Sequence, residues 1–122
     1  MTIKVAVVGA AGRMGATVCE AVEAAEDMEL TARLDAGDPI SSESLGGADV
    51  AVEFSVPSAS EANTLAILEA GADAVVGTTG WTEESLGRVR GTAERLGRSA
   101  VIAPNYALSA VLVMSFAEKA AP

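Results

Sequence analysis

The 122-residue chain contains no histidine and only one cysteine, Cys19. The missing imidazole takes away the side chain that titrates near neutral pH, and with it the commonest proton donor and metal ligand. One thiol excludes an internal disulfide and a cysteine zinc cluster, so no metal centre is expected. Cys19 lies within a helical run of small apolar residues and reads as a small buried hydrophobe. Aromatic residues are scarce too: Phe54, Trp81, Tyr106 and Phe116 are all there are. The core must therefore be built from valine, alanine, leucine and isoleucine. Positive charge is the third shortage. Eight basic against seventeen acidic residues leave a net charge of −9, which argues against a nucleic-acid backbone as partner because no counter-charge is available. No apolar run approaches membrane-spanning length and no signal-like segment precedes the first strand, so a soluble, cytoplasmic protein is expected.

What is present is a chain of single-domain length, half of it apolar, enough to enclose a core. Its organising stretch is Val5-Ala6-Val7-Val8-Gly9-Ala10-Ala11-Gly12-Arg13-Met14-Gly15. A β-branched run enters three glycines spaced three apart, and an alanine-rich helical pattern follows at once. Such a strand, turn and helix start can present N–H groups of partial positive charge to a pyrophosphate. Gly9 serves the sharp turn, Gly12 admits phosphate without a Cβ in the way, and Gly15 lets helix pack on strand. The spacing is GxxGxxG, not the commoner GxGxxG, and a glycine-punctuated turn without a ligand is the plainer alternative.

Residues 3–8 read as a central strand, apolar on both faces except Lys4. The next helix places Met14, Val18, Ala21, Val22 and Ala25 on its inner face. Residues 28–34 form a second strand near a sheet edge, ending at Asp35. Asp35 lies twenty residues beyond Gly15, where nucleotide folds place an acid on the adenosine ribose; it also suits the turn Asp35-Ala36-Gly37-Asp38-Pro39 on its own account. Arg13 can reach either a pyrophosphate or a 2′-phosphate, so NADH and NADPH both stay open. Residues 36–48 are polar and hold at most one short helical turn near 42–45, too little for a full crossover helix.

A third strand, 49–54, stops at Pro57, which starts a helix with Ala62, Leu65, Ala66 and Leu68 inward. The fourth, 74–76, runs into Gly77-Thr78-Thr79-Gly80-Trp81, at the strand end where open parallel sheets bind ligands. Thr78 and Thr79 suit ligand contact and turn structure equally. Thr82 reads as an N-cap before Glu83 and Glu84, and the helix that follows turns Leu86, Val89, Ala93 and Leu96 inward. Residues 99–102 make a fifth strand leading into Ala103-Pro104-Asn105-Tyr106. The segment 107–122 reads as a helix apolar almost all round, which expects burial on several sides. The expected architecture is α/β: a doubly wound, Rossmann-like parallel sheet of about five strands, ordered 2-1-3-4-5, with helices on both faces.

Five separated motifs together resemble the amino-terminal half of the dihydrodipicolinate reductase family. They are Val8 to Gly15, Leu34-Asp35-Ala36-Gly37-Asp38-Pro39, Glu53-Phe54-Ser55-Val56-Pro57, Val76-Gly77-Thr78-Thr79-Gly80-Trp81 and Ile102-Ala103-Pro104-Asn105-Tyr106. The resemblance implies that Gly9, Ala10, Ala11, Gly12, Arg13 and Met14 hold the pyrophosphate and that Asp35, with Ala36, holds the adenosine ribose. It also implies that Phe54, Gly77, Thr78, Thr79, Ala103, Pro104, Asn105 and Tyr106 border the cofactor, with Thr78, Thr79 and Asn105 next to the substrate.

The implied cofactor is NADH or NADPH. The implied reaction is reduction of 4-hydroxy-tetrahydrodipicolinate to tetrahydrodipicolinate in lysine and diaminopimelate biosynthesis, by a homo-oligomer that in the family is a tetramer formed through the second domain. Departures are mild: Glu53-Phe54-Ser55 stands for the usual Asp-Phe-Thr, Tyr106 for a phenylalanine, and Ser109 for a glycine. The family's proton donor is a histidine in a His-His-x-x-Lys stretch of a second domain, and this chain has no histidine. The whole chain is therefore expected to be one dinucleotide-binding domain, its segment 107–122 leading towards an absent catalytic domain. It is expected to bind cofactor weakly without turnover. A free-standing nucleotide-binding or sensor module is the alternative.

Overall fold

In the computed structural model, which describes residues 2–102, β1 (Ile3–Val8) is buried at every position except Lys4. It lies between β2 (Met28–Leu34) and β3 (Val50–Glu53), and β4 (Asp73–Val76) and β5 (Ala100–Ile102) continue the sheet in the order β2-β1-β3-β4-β5. Every pairing is parallel. The registers Val8 with Glu53, Glu53 with Val76 and Val76 with Ile102 bring the carboxyl ends of the strands to one edge of the sheet. Strand order and edge placement of β2 are those expected from the sequence. The segment 103–122, including Ala103, Pro104, Asn105 and Tyr106, lies outside the described residues.

Alternate residues of the central strands feed two cores, as the two-residue period of a strand requires. On one face Val5, Val7, Val52 and Val75 pack with Val18, Cys19 and Val22 of α1 (Arg13–Ala24). On the other, Ala6, Val8, Ala51, Ala74 and Val76 pack with Ile67 and Leu68 of α2 (Pro57–Glu69) and with Val89 and Ala93 of α3 (Glu83–Leu96). Small side chains, mostly alanine and valine, let helices lie close to the sheet without aromatic filling.

The connection from β2 to β3 contains turns over residues 42–47 instead of a crossover helix. Leu45 fills the space a helix would cover and is almost fully buried. The Thr31 hydroxyl donates to its carbonyl at 2.7 Å. The β1–β2 register shifts between Val5 and Ala6, leaving Thr31 unmatched, and a bulge of this kind re-aims a side chain, here toward the Leu45 plug.

The helices turn other faces inward than strict apolar periodicity predicts. In α1, Gly15 and Cys19 join Val18 and Val22, while Met14 and Ala21 are exposed. In α2 the buried residues are Ser60, Thr64, Ile67 and Leu68, whereas Ala62 is exposed and Leu65 and Ala66 are half-buried. In α3, Ser85, Val89 and Ala93 are buried and Leu96 is exposed. The inner faces are set by close approach to the sheet and by polar partners, which apolar spacing does not register. No helix among the described residues is long and apolar enough to cross a membrane.

Candidate functional site

The strand ends at the carboxyl edge enclose a cleft, and the glycine turn forms its floor. Gly9 has φ of +90°, and a Cβ there would run into the Phe54 carbonyl oxygen. Only glycine satisfies both conditions. A Cβ at Gly15 would collide with the Gly9 carbonyl, so this glycine lets α1 sit on the turn. Gly12 differs. A Cβ there would meet nothing closer than Gly9 O at 3.4 Å, and Gly12 lines the cleft. The three roles read from the spacing are therefore distinct in the structure: turn, open approach, helix packing.

Leu34 O takes the N–H groups of Gly9 (2.7 Å) and Ala10 (3.1 Å), and Gly12 N–H bonds Gly9 O at 3.2 Å. Ala11 N–H donates to Asp35 Oδ1 at 2.7 Å. Asp35 N–H in turn donates to Asp38 Oδ2 at 2.8 Å. The acid ending β2 is thus brought to the glycine turn, and its carboxylate fastens the two loops together. Gly12 caps α1 without any side-chain hydrogen bond, and an uncapped helix start leaves its first N–H groups to an incoming acceptor. By contrast, α3 satisfies its own start: Thr82 and Ser85 form a capping box. That settles the Thr82 reading and keeps this helix start apart from α1's.

Two hollows make up the cleft. One of about 370 Å³ includes Val8, Gly12, Asp35, Asp38, Ile40 and Asn63 among its walls; the other, of about 310 Å³, includes Arg13, Met14, Gly15, Gly77, Thr78 and Thr79. They share Gly12, Phe54 and Ser55. Arg13 thus lines the hollow opposite to that of Asp35. Met14, 40% exposed, and Val56, 56% exposed, are large apolar groups open to solvent beside the turn. A further hollow of about 530 Å³ lies along β2, lined by Glu23, Met28, Leu30, Thr31, Ala32 and Arg33.

Gly77 passes directly under Phe54, whose ring occupies the space a Cβ would need. Thr79 is exposed at the cleft, whereas Thr78 is buried. The Thr78 hydroxyl donates to Glu53 Oε1 at 2.6 Å and accepts Ser55 N–H at 2.9 Å. Of the threonine pair, then, one hydroxyl is held in the protein and the other faces the opening. The Trp81 indole N–H donates to Thr78 O at 3.0 Å. Residues that sequence reasoning did not single out for the cleft include Ser55, Asp38, Ile40 and Asn63. The signal for Asn63 was a polar residue on a helix adjoining the Glu53 motif, where apolar spacing drew attention to Leu65 and Ala66 instead.

The profile of the family "Dihydrodipicolinate reductase, N-terminus" matches residues 3–106. A 4-hydroxy-tetrahydrodipicolinate reductase of Beutenbergia cavernae is 58% identical over 89 residues, covering 73% of this chain and 36% of that protein. The chain spans about a third of the length of the curated relatives it matches. Among solved structures, a dipicolinate-bound dihydrodipicolinate reductase from Paenisporosarcina sp. TG-14 superposes with a TM-score of 0.74 at 31% identity, over 99% of this chain and 54% of that one. An S. aureus homoserine dehydrogenase superposes with a TM-score of 0.67 at 15% identity, over 84% of this chain and 32% of that one. The latter likeness shows the fold alone.

Proposed function

The chain belongs to the dihydrodipicolinate reductase family, of which it carries the amino-terminal, nucleotide-binding domain, and from that premise we propose that its cleft holds NADH or NADPH for reduction of 4-hydroxy-tetrahydrodipicolinate. The observation that carries this reading is the pair of hollows joined at Gly12 and Phe54. They offer a continuous path from Asp35, past an open glycine Cα and an uncapped helix start, to Thr79. The residues fit a dinucleotide on their own geometry. The Gly12 position leaves room where a phosphate must approach backbone, and the first turn of α1 supplies N–H groups and a positive dipole end for it.

When bound, the nicotinamide supplies a hydride. The chain's own groups orient and exclude. Asp35 accepts hydrogen bonds from ribose hydroxyls at the end lined by Asp38 and Ile40. Arg13 places a positive charge on the other side of the turn, a local exception in a chain of net charge −9. Met14 and Phe54 present apolar surface to the flat ring and keep water from it, and Thr79 stands nearest the substrate. Ala103, Pro104, Asn105 and Tyr106 complete this wall in the reading taken from the family.

A proton must reach the substrate as well as a hydride, and a chain without histidine lacks the donor the family uses. These 122 residues by themselves accordingly bind cofactor and turn nothing over. Titration with NADH and NADPH, followed by nicotinamide fluorescence, is expected to give saturable binding; a linear, unsaturated response overturns the cofactor reading. Oxidation of NADH by the pure chain in the presence of substrate overturns the second clause. Homo-oligomerisation, in the family a property of the second domain, belongs to the whole enzyme in this reading; self-association of the chain by itself, measured by sedimentation, favours a free-standing nucleotide-binding module instead.

A further inference from the structure

Glu53 ends β3 with no exposure to solvent. Its Oε1 accepts hydrogen bonds from Ser60 Oγ at 2.8 Å and Thr78 Oγ1 at 2.6 Å. Its Oε2 accepts from Asn63 Nδ2 at 3.0 Å and from Ser55 Oγ. Four donors fill the acceptor sites of one carboxylate, and none of them is a cation. Burying such a group is costly compared with an apolar side chain, and the other buried positions of β3 are Val50, Ala51 and Val52.

What the carboxylate does is visible in the partners. They come from the loop after β3, from α2 and from the loop after β4, and Ser55, Asn63 and Thr78 all line the cleft. The Thr78 hydroxyl has one proton. Because that proton goes to Glu53, the oxygen is left to accept Ser55 N–H at 2.9 Å, which locks the β4 loop onto the β3 loop. The lock holds Gly77 under the Phe54 ring, and Thr78 O at the Trp81 indole.

We propose that Glu53 is a positioning residue that, acting through Thr78, fixes the 77–81 loop so that Gly77, Thr78 and Thr79 form one wall of the nicotinamide-side hollow. This rests on the reading that the hollow beside Thr79 takes the nicotinamide. Of the Glu53 partners, Thr78 lines only the hollow of Thr79, Asn63 only that of Asp35, and Ser55 both. The Thr78 bond is the one that ties the β4 loop, so its loss acts at the nicotinamide end while Asp35 and the glycine turn still hold the adenosine end.

The Glu53→Gln variant keeps the volume and turns one acceptor into a donor facing donors. In the cofactor-free protein, amide hydrogen exchange at Ser55 and residues 77–81 is expected to quicken about tenfold, with the amides of Val5–Val8 unchanged. NADH affinity is expected to fall about tenfold, equivalent to about 1.4 kcal/mol and within the range for a mispaired buried polar group. Affinity for ADP-ribose, which lacks the nicotinamide, is expected to fall less than about twofold. Thr78→Val should reproduce this pattern, Thr78→Ser should keep the parent's exchange and affinities, and the Glu53→Gln/Thr78→Val double variant should be no weaker than either single variant. Unchanged exchange at 77–81, equal losses for NADH and ADP-ribose, or a silent Thr78→Val each overturns the proposal. Should Glu53→Gln not fold, the Thr78 pair decides. If the unaltered chain binds neither nucleotide, the cofactor reading falls, while the exchange experiment still decides the role of Glu53.

Discussion

The two halves of the cleft are made of different material. The glycine-turn half is almost all backbone: Gly9 at positive φ against the Phe54 carbonyl, Gly15 against the Gly9 carbonyl, and N–H groups tied to Leu34 O, with Asp35 as the one side chain that fastens it. The β3–β4 half is made of side chains, with Glu53 gathering Ser55, Ser60, Asn63 and Thr78. Backbone packed on backbone has no rotamer with which to adjust, so an added atom there is met by refusal. A side-chain network loses its bonds one at a time and weakens by degrees.

The glycines break the comparison most sharply. Gly9→Ala and Gly15→Ala are each expected to cost about 3 kcal/mol or more in urea unfolding, since a Cβ would overlap a carbonyl and, at Gly9, also force an unfavourable φ. Gly12→Ala should fold as the parent does yet lose saturable NADH binding, because its Cβ points into the cleft. A smaller effect belongs to the side-chain half. Ser60→Ala removes one of the four donors to Glu53, and a loss of about 1–3 kcal/mol in the same unfolding assay is expected.

Asp35→Asn comes next. It keeps an oxygen for Ala11 N–H but removes the charge, so the NADPH-to-NADH affinity ratio should rise about tenfold in paired fluorescence titrations, the effect of roughly 1.4 kcal/mol of relieved repulsion. Smallest of all is the Arg88–Glu61 pair, outside the cleft, where Nε and Nη2 reach the carboxylate at 2.5 and 2.9 Å. Hydrogen bonding to Arg88 lowers the pKa of Glu61 below its ordinary value. The stability it adds is present above that ordinary range and is lost as pH falls through the lowered folded-state pKa. Arg88→Met should therefore shift the Tm slightly at neutral pH, less in high salt, and not at all in strong acid.

The same contrast explains what could be read in advance. Gly9 and Gly15 announce themselves because close backbone contacts leave glycine as the only answer, and Gly12 is legible through its even spacing between them. The strands were legible for a related reason: a parallel sheet wants unbroken runs such as Val5–Val8, and turn residues close them. The 36–48 connection was too short for a crossover helix, and the structure indeed has a plug at Leu45. Helix faces were less legible. Met14 and Ala21 fit the apolar period of α1 but look outward, because close approach at Gly15 and Cys19 decides which side meets the sheet. In α2 the signal was inverted: Ser60 and Thr64 are buried while Ala62 is not, because Ser60 serves a carboxylate that no hydrophobic pattern announces. Thr78 and Thr79 look alike in sequence and were assigned to the cofactor wall together; only the position of Glu53 separates the buried hydroxyl from the open one.

If Asp35 meets the ribose as proposed, its bond from Ala11 N–H gives one carboxylate two properties that a protein lineage would otherwise adjust separately. Replacing Asp35 with a residue that cannot accept from Ala11, in order to welcome a phosphorylated ribose, would also untie the glycine turn from the β2 loop. Divergence in cofactor choice is thereby steered toward neighbours such as Asp38 and Ala36, which line the same hollow but do not hold the turn. The route by which such a domain changes its preference is narrowed by a single hydrogen bond.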